Sequence, residues 1–196
     1  MAVARALTLV YFLIAALAVT IFASSVPAAS PKKAPQWDIS EWINSEPINL
    51  ADLKGRVVVI DFFQLWCPGC KSFSIPLMDH WEKIFEKETE QDRIAFVSIH
   101  TVFEGHSFQT PERLRRFLKE KNIKHPVGID RHANGQRVPE TMRRYNTMGT
   151  PEMAIIDKQG NIRFQRFGYF EPAFGENLIR TLLDEQPEPK RTSLIR

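Results

Sequence analysis

The chain has 196 residues, 43% apolar and 25% charged, enough to build one globular domain with a real core. Its net charge of +3 is too small and too evenly spread to imply a nucleic-acid partner. The basic cluster at 113–124, RLRRFLKEKNIK, carries Leu114, Phe117 and Leu118 at helical spacing, so its charges read as the solvated side of an amphipathic helix.

The N-terminus is an uninterrupted apolar run, ALTLVYFLIAALAVTIFA at 6–23, with Arg5 before it and the small residues of SSVPAAS after it. Its length lies between the apolar stretch of a signal peptide and the roughly 20 residues of a membrane span. Residues 1–29 are therefore expected to be a cleaved signal peptide or an uncleaved anchor. Sites after Ala28 or Ala29 offer the small residues that cleavage wants. Lys32 and Lys33 beyond the run oppose the positive-inside preference, which favours cleavage. Either way the remainder is expected to be delivered across a membrane, with 30–36 as a flexible spacer.

VVVIDFF at 57–63 is a β-branched and aromatic run suited to a central strand buried on both faces. Residues 68–87 read as a helix, 93–100 as a strand and 111–121 as a helix, with Thr110 as cap and Pro111 at its first position. A short strand at 125–130 and a short helix at 139–145 follow. Residues 153–157 and 161–167 flank the turn KQG as a hairpin. A helix at 176–183 closes a domain spanning 37–184, and 185–196 form a polar tail. This alternation predicts an α/β fold, a mixed sheet with helices on both faces, without repeats or a second domain.

Both cysteines, Cys67 and Cys70, lie in DFFQLWCPGCKSF. The strand ends near Leu65 and the helix starts beside Cys67 with Pro68 in its first turn. Free backbone N–H groups and the positive end of the helix dipole therefore converge on Cys67, an environment that stabilises a thiolate. Cys70 is one turn further on, within disulfide reach. The 3.6-residue period from Cys70 runs through Phe73, Leu77, Trp81 and Ile84, so Cys70 joins the buried stripe while Cys67 stands at the exposed rim. An inert staple across so short a loop gains little stability. Zinc would want two more soft ligands, whereas no further cysteine exists and the five histidines show no paired spacing. Copper held by two thiolates and a distant histidine such as His100 stays open. A C-x-x-C between a strand and a helix favours redox chemistry.

Asp61 interrupts the apolar strand, and a buried carboxylate is costly without a partner or a task. Burial would raise its pKa and suit it to accept a proton from Cys70, unless it sits solvated at a strand edge. Pro151 directly precedes a strand, and the Thr150–Pro151 bond is a candidate for the cis form.

VVVIDFFQLWCPGCKSF, followed some eighty residues later by GTPEMAIIDKQGNI, resembles the thioredoxin superfamily. More narrowly, it is similar to the TlpA/ResA-like branch of exported thiol–disulfide oxidoreductases. The likeness runs from about Trp37 to Leu183. It implies a thioredoxin-like fold, with the helix and strand at 111–130 as an insertion. It further implies Cys67 as attacking thiol, Cys70 as resolving thiol, and Pro151 as a cis-proline beside the pair. Thr150 would pair its backbone with an extended substrate, Trp66 would be the aromatic before the motif, and Asp61 would match the buried acid of thioredoxin.

Three positions depart from the pattern. Pro68–Gly69 reverses thioredoxin's Gly-Pro and differs from the Glu-Pro of cytochrome-maturation reductases, some of which carry an acid where this chain has Phe73. The dipeptide tunes the potential and so bears on direction. The function implied is disulfide exchange on client proteins in the periplasm, as a reductant recharged by a membrane electron-donor protein, without organic cofactor or metal. The alternatives are a disulfide-donating oxidant and a copper chaperone or redox-sensing binding module. A peroxidase is disfavoured because no threonine precedes Cys67 in the peroxiredoxin manner.

Overall fold

All seven residues of β2 (Val57–Phe63) are buried, which places this strand in the interior of the sheet. The computed structural model describes residues 32–186 apart from 134. The expected signal or anchor at 1–29 and most of the polar tail lie outside the described residues. β2 runs parallel to β3 (Ile94–His100) and antiparallel to β5 (Glu152–Ile156). With β1 (Ile39–Ile43), β4 (Val127–Asp130) and β6 (Ile162–Phe167), the strand order is β1-β4-β3-β2-β5-β6. The β3–β4 pair is also parallel and both outer pairs are antiparallel, so the sheet is mixed, as its sequence pattern predicts.

Side chains that alternate along β2 divide the core. Val57 and Val59, with Ile94, Phe96, Met153 and Ile155, pack against α1 (Ile75–Ile84) and α5 (Pro172–Asp184). Val58, Ile60 and Phe62 face the other way, toward Trp37, the 3₁₀ turn Leu50–Leu53, and Tyr145 of α4 (Glu140–Tyr145). A third cluster joins Phe63, Leu65 and both cysteines to Leu114 and Leu118 of α3 (Pro111–Glu120). The helix and strand at 111–130 thus wall one side of the cysteine pair. Thr110 caps α3 by accepting the Arg113 N–H at 3.4 Å.

The helix expected at 68–87 is interrupted. It opens with α-helical Pro68 and Gly69, widens into a π-helical turn at Cys70–Ser74, continues as α1, and breaks at Phe85 before α2 (Glu86–Glu90). The wide turn shifts the helical phase. Ser74 is buried in place of Phe73, which is half-buried and meets Tyr169 at a tilt and Phe170 edge to face. β1 and the 3₁₀ turn were not expected from the sequence. The pattern ISEWI alternates weakly, and the strand is only partly buried at the edge. α5 begins four residues before its expected start, because Pro172 serves as its first-turn proline.

Candidate active site

Beyond Phe63 the chain turns through Gln64 and Leu65, and the Cys67 N–H donates to the Gln64 carbonyl at 3.3 Å. Cys67 and Cys70 are joined as a disulfide with Cα atoms 5.3 Å apart. The Cys70 N–H points back at Cys67 Sγ at 3.0 Å, and the Lys71 N–H at the Cys67 carbonyl. A sulfur receiving a helix N-terminal N–H in this way is stabilised as an anion once the disulfide opens. The expectation that Cys67 stands at an exposed rim is corrected: Cys67 is buried at 7% exposure and Cys70 is fully enclosed, because both pack in one cluster with Leu114 and Leu118. What Cys67 sees is a groove of roughly 540 Å³, bordered by Trp66, Pro68, Phe103, Thr150 and Phe167. Trp66 and Phe167 are half exposed there, and Met148 at the rim is more exposed still.

Thr150–Pro151 is a cis peptide beside the pair. The Met148 N–H donates to the Glu152 carboxylate at 2.9 Å and the Gly168 N–H to the Pro151 carbonyl at 2.8 Å, which fixes the loop from both sides. Among the described residues, the main chain of Thr150 makes no backbone hydrogen bond. The order of the Pro68–Gly69 dipeptide has a steric reason. A Cβ on residue 69 would lie 2.9 Å from Pro151 Cδ, so at this spacing glycine fits without displacing the proline ring.

Asp61 lies on the α1 side of β2, fully buried, and neither carboxylate oxygen has a hydrogen-bond partner among the described residues. The solvated-edge alternative is thereby removed. Burial pushes its pKa up from 3.8 to about 7, a rise that the Ser74 hydroxyl and His125 only partly offset. The site therefore combines a groove-facing sulfur, an enclosed sulfur and an acid that titrates near neutrality.

The structure also assembles a polar network with no single sequence signal. Gln109 Oε1 accepts the Leu65 N–H at 2.9 Å and lies 3.2 Å from His100 Nε2. Gln109 Nε2 donates to Gln64 Oε1 at 2.9 Å, and the same oxygen accepts the Trp66 indole N–H. The Cys67 loop is thus tied to the segment between β3 and α3. Burial pushes the His100 pKa down to about 4, against a smaller upward pull from Gln109. His100, the candidate third copper ligand, is engaged by Gln109, and among the described residues no three His, Cys, Asp or Glu side chains cluster to hold a metal ion. The polar residues embedded in the apolar stretches around 64 and 100 are the only hint the sequence offers of this network.

The chain matches the AhpC/TSA family model over residues 31–165. It is similar to a crystallised thioredoxin-like superfamily protein, with 42% identity, a TM-score of 0.74, and coverage of 79% of this chain and 98% of that one. It is 26% identical over 165 residues to the DipZ protein of Mycobacterium tuberculosis, covering 79% of this chain and 22% of DipZ. It is also 26% identical over 131 residues to the thiol–disulfide oxidoreductase ResA of Bacillus thuringiensis, covering 67% of this chain and 65% of ResA. The chain thus spans about a fifth of DipZ and just under two thirds of ResA. By its matched model, its mixed sheet and its C-x-x-C disulfide at a helix start, the chain belongs to the AhpC/TSA family, among the thioredoxin-like thiol–disulfide oxidoreductases.

Proposed function

We propose that this protein reduces disulfides in client proteins outside the cytoplasm. The observation that carries the reading is the asymmetry of the pair. Cys67 Sγ receives the Cys70 N–H and opens on a groove, whereas Cys70 is enclosed. Cys67 attacks the client disulfide, a mixed disulfide forms, and Cys70, deprotonated by Asp61, releases the reduced client. The client lies extended across the groove, its backbone pairing with the unpartnered main chain of Thr150 and its side chains resting on Trp66. Pro68 and Gly69 set the potential through the helix start and its contact with Pro151. The Cys67–Cys70 disulfide must then be reduced again, and a membrane electron-donor protein is the proposed source.

The apolar run at 6–23 supports export, either as a free periplasmic protein or as one held by its N-terminus. No described helix is long and apolar enough to cross a membrane, so an anchor is sought in residues 1–29. The test is capture in cells exporting the full chain. Cys70→Ser is expected to accumulate mixed disulfides with client proteins through Cys67, and Cys67→Ser to accumulate none. Equal capture by both variants would overturn the assignment of roles.

A further inference from the structure

Asp61 is walled off from solvent, yet the exchange cycle proposed above needs a proton to arrive at it and leave. Its register partner on β3 is Ser98, and both side chains lie on the face covered by α1. Ser98 Oγ is 2.8 Å from His125 Nε2, and both groups are buried. His125 Nδ1 in turn lies 2.9 Å from Glu82 Oε2, within ion-pair distance though not aligned for a hydrogen bond. The His125 side chain is 5% exposed and that of Glu82 30%, and both border an open groove of about 350 Å³. The groove exists because β4 covers only Ser98–His100 of β3, leaving 94–97 without a strand partner on that side. It lies at the N-terminal half of β3, away from the end of the sheet that carries Cys67.

We propose that Ser98, His125 and Glu82 relay protons between Asp61 and this second groove. The inference rests on the Cys67/Cys70 reading. In the resolving step Cys70 gives its thiol proton to Asp61, and the Cys70 thiolate attacks Cys67 Sγ of the mixed disulfide. The Cys67–Cys70 bond forms, the Cys67–client bond breaks, and the client sulfur leaves as a thiolate that takes a proton from solvent. Over the cycle the protein dithiol loses two electrons and the client disulfide gains them. In the oxidised protein Asp61 makes no hydrogen bond to its register neighbour Ser98, so the proton left on Asp61 reaches Ser98 Oγ when the two side chains turn toward each other, passes from there to His125 Nε2, and Nδ1 gives one up toward Glu82 and solvent. A hydroxyl and an imidazole can each accept at one site while donating from another, which is what a relay requires. A client lying on Trp66 and Thr150 covers the Cys67 groove, so an exit on the far side of β3 stays open throughout. The groups facing Asp61 are Ser74 from the helix start, Ser98 from β3, Met153 from β5, and His125 from the segment before β4. At the mouth of the groove stand Glu82, Lys124 and the Arg56–Asp92 ion pair.

The relay is tested by stopped-flow mixing of the reduced protein with dithiobisnitrobenzoate. Attack by Cys67 releases a first coloured thiolate, and resolution by Cys70 releases a second. His125→Leu and Ser98→Ala are expected to leave the first release unchanged and to slow the second roughly tenfold below pH 7, where Asp61 starts protonated and must lose that proton through the relay before it can accept the one from Cys70. His125→Leu should also move the pH midpoint of the second release upward, since His125 lowers the Asp61 pKa. Ser98→Thr, which keeps the hydroxyl, should restore the rate. Glu82→Gln, at the surface, supplies a variant whose folding is not in question and should slow the second release alone. Unchanged second-release profiles in these variants would overturn the relay and leave the Cys67 reading intact. Equal slowing of both releases, or no rescue by Ser98→Thr, would mark a packing defect and also overturn it. A parent protein with no first release would overturn both readings.

Discussion

Replacing Asp61 with asparagine should stabilise the oxidised protein at pH 8 while leaving it nearly unchanged or weaker at pH 4. Asp61 is fully buried without a hydrogen-bond partner among the described residues, and its pKa rises from 3.8 to about 7 on folding. The folded state therefore binds the proton more tightly than the unfolded one. Below 3.8 both states are protonated and the acid adds no pH-dependent penalty. As pH climbs through 3.8 the unfolded chain ionises first and stability falls, and the loss is complete once pH passes the folded value near 7. A rise of that size corresponds to about 4 kcal/mol of lost stability at alkaline pH, an upper figure because buried charges relax their surroundings. Asparagine has the same shape and cannot ionise, so the fall with pH between 4 and 8 should be shallower by that amount. The asparagine amide carries a cost of its own, but that cost does not depend on pH. Urea titrations of both proteins at intervals across this range give the comparison directly. Parallel stability curves would refute the reasoning, because they would mean Asp61 stays ionised in the fold and cannot accept a proton from Cys70.

Gly69→Ala places a methyl 2.9 Å from Pro151 Cδ and should cost about 1–3 kcal/mol in urea unfolding, with an unchanged midpoint showing that the proline ring gives way instead. Gln109→Leu leaves the buried Leu65 N–H without its acceptor and frees Gln64, which should destabilise by about 1–3 kcal/mol for the orphaned donor and alter Trp66 fluorescence. A native emission spectrum in that variant would show that Trp66 is held by packing alone. Equilibration with glutathione buffers should give a potential near the roughly −270 mV of thioredoxin for a reductant, whereas a value near roughly −120 mV would reverse the proposed direction.

The parts legible in the sequence are those whose signal is local. Val57–Phe63 declares a buried strand by its β-branched run, and Thr110–Pro111 declares a helix start by cap and proline. The cysteine pair is read from spacing, and Asp61 is conspicuous because it breaks an apolar pattern. β1 escapes because an edge strand with one half-wet face keeps little alternation. The π-helical turn at Cys70–Ser74 escapes because a one-residue slip in helical phase leaves no compositional trace, yet it decides that Ser74 rather than Phe73 is buried. The side-chain networks escape for a different reason: Gln64 meets Gln109 across 45 positions and Ser98 meets His125 across 27, so both contacts exist only once the register of β2, β3 and β4 is known.

These two networks meet the cysteine pair from different directions, and their chemistry differs accordingly. Gln64, Gln109 and His100 form a set of neutral groups, with the histidine held uncharged at neutral pH by burial, so the set can fix the Cys67 loop and the Trp66 indole without introducing a titrating group beside the attacking sulfur. Asp61, Ser98, His125 and Glu82 form a set that includes two carboxyl groups and an imidazole, and it runs along the α1 face of β2 and β3 toward the second groove, away from the client groove. Had the titrating groups been placed at Trp66 and the neutral ones under Cys70, a bound client would cover the proton exit at the moment the mixed disulfide needs it. The arrangement found keeps orientation on the client side and proton traffic on the core side. It therefore predicts that substitutions in the first set change how fast clients are attacked, and substitutions in the second set change how fast they are released.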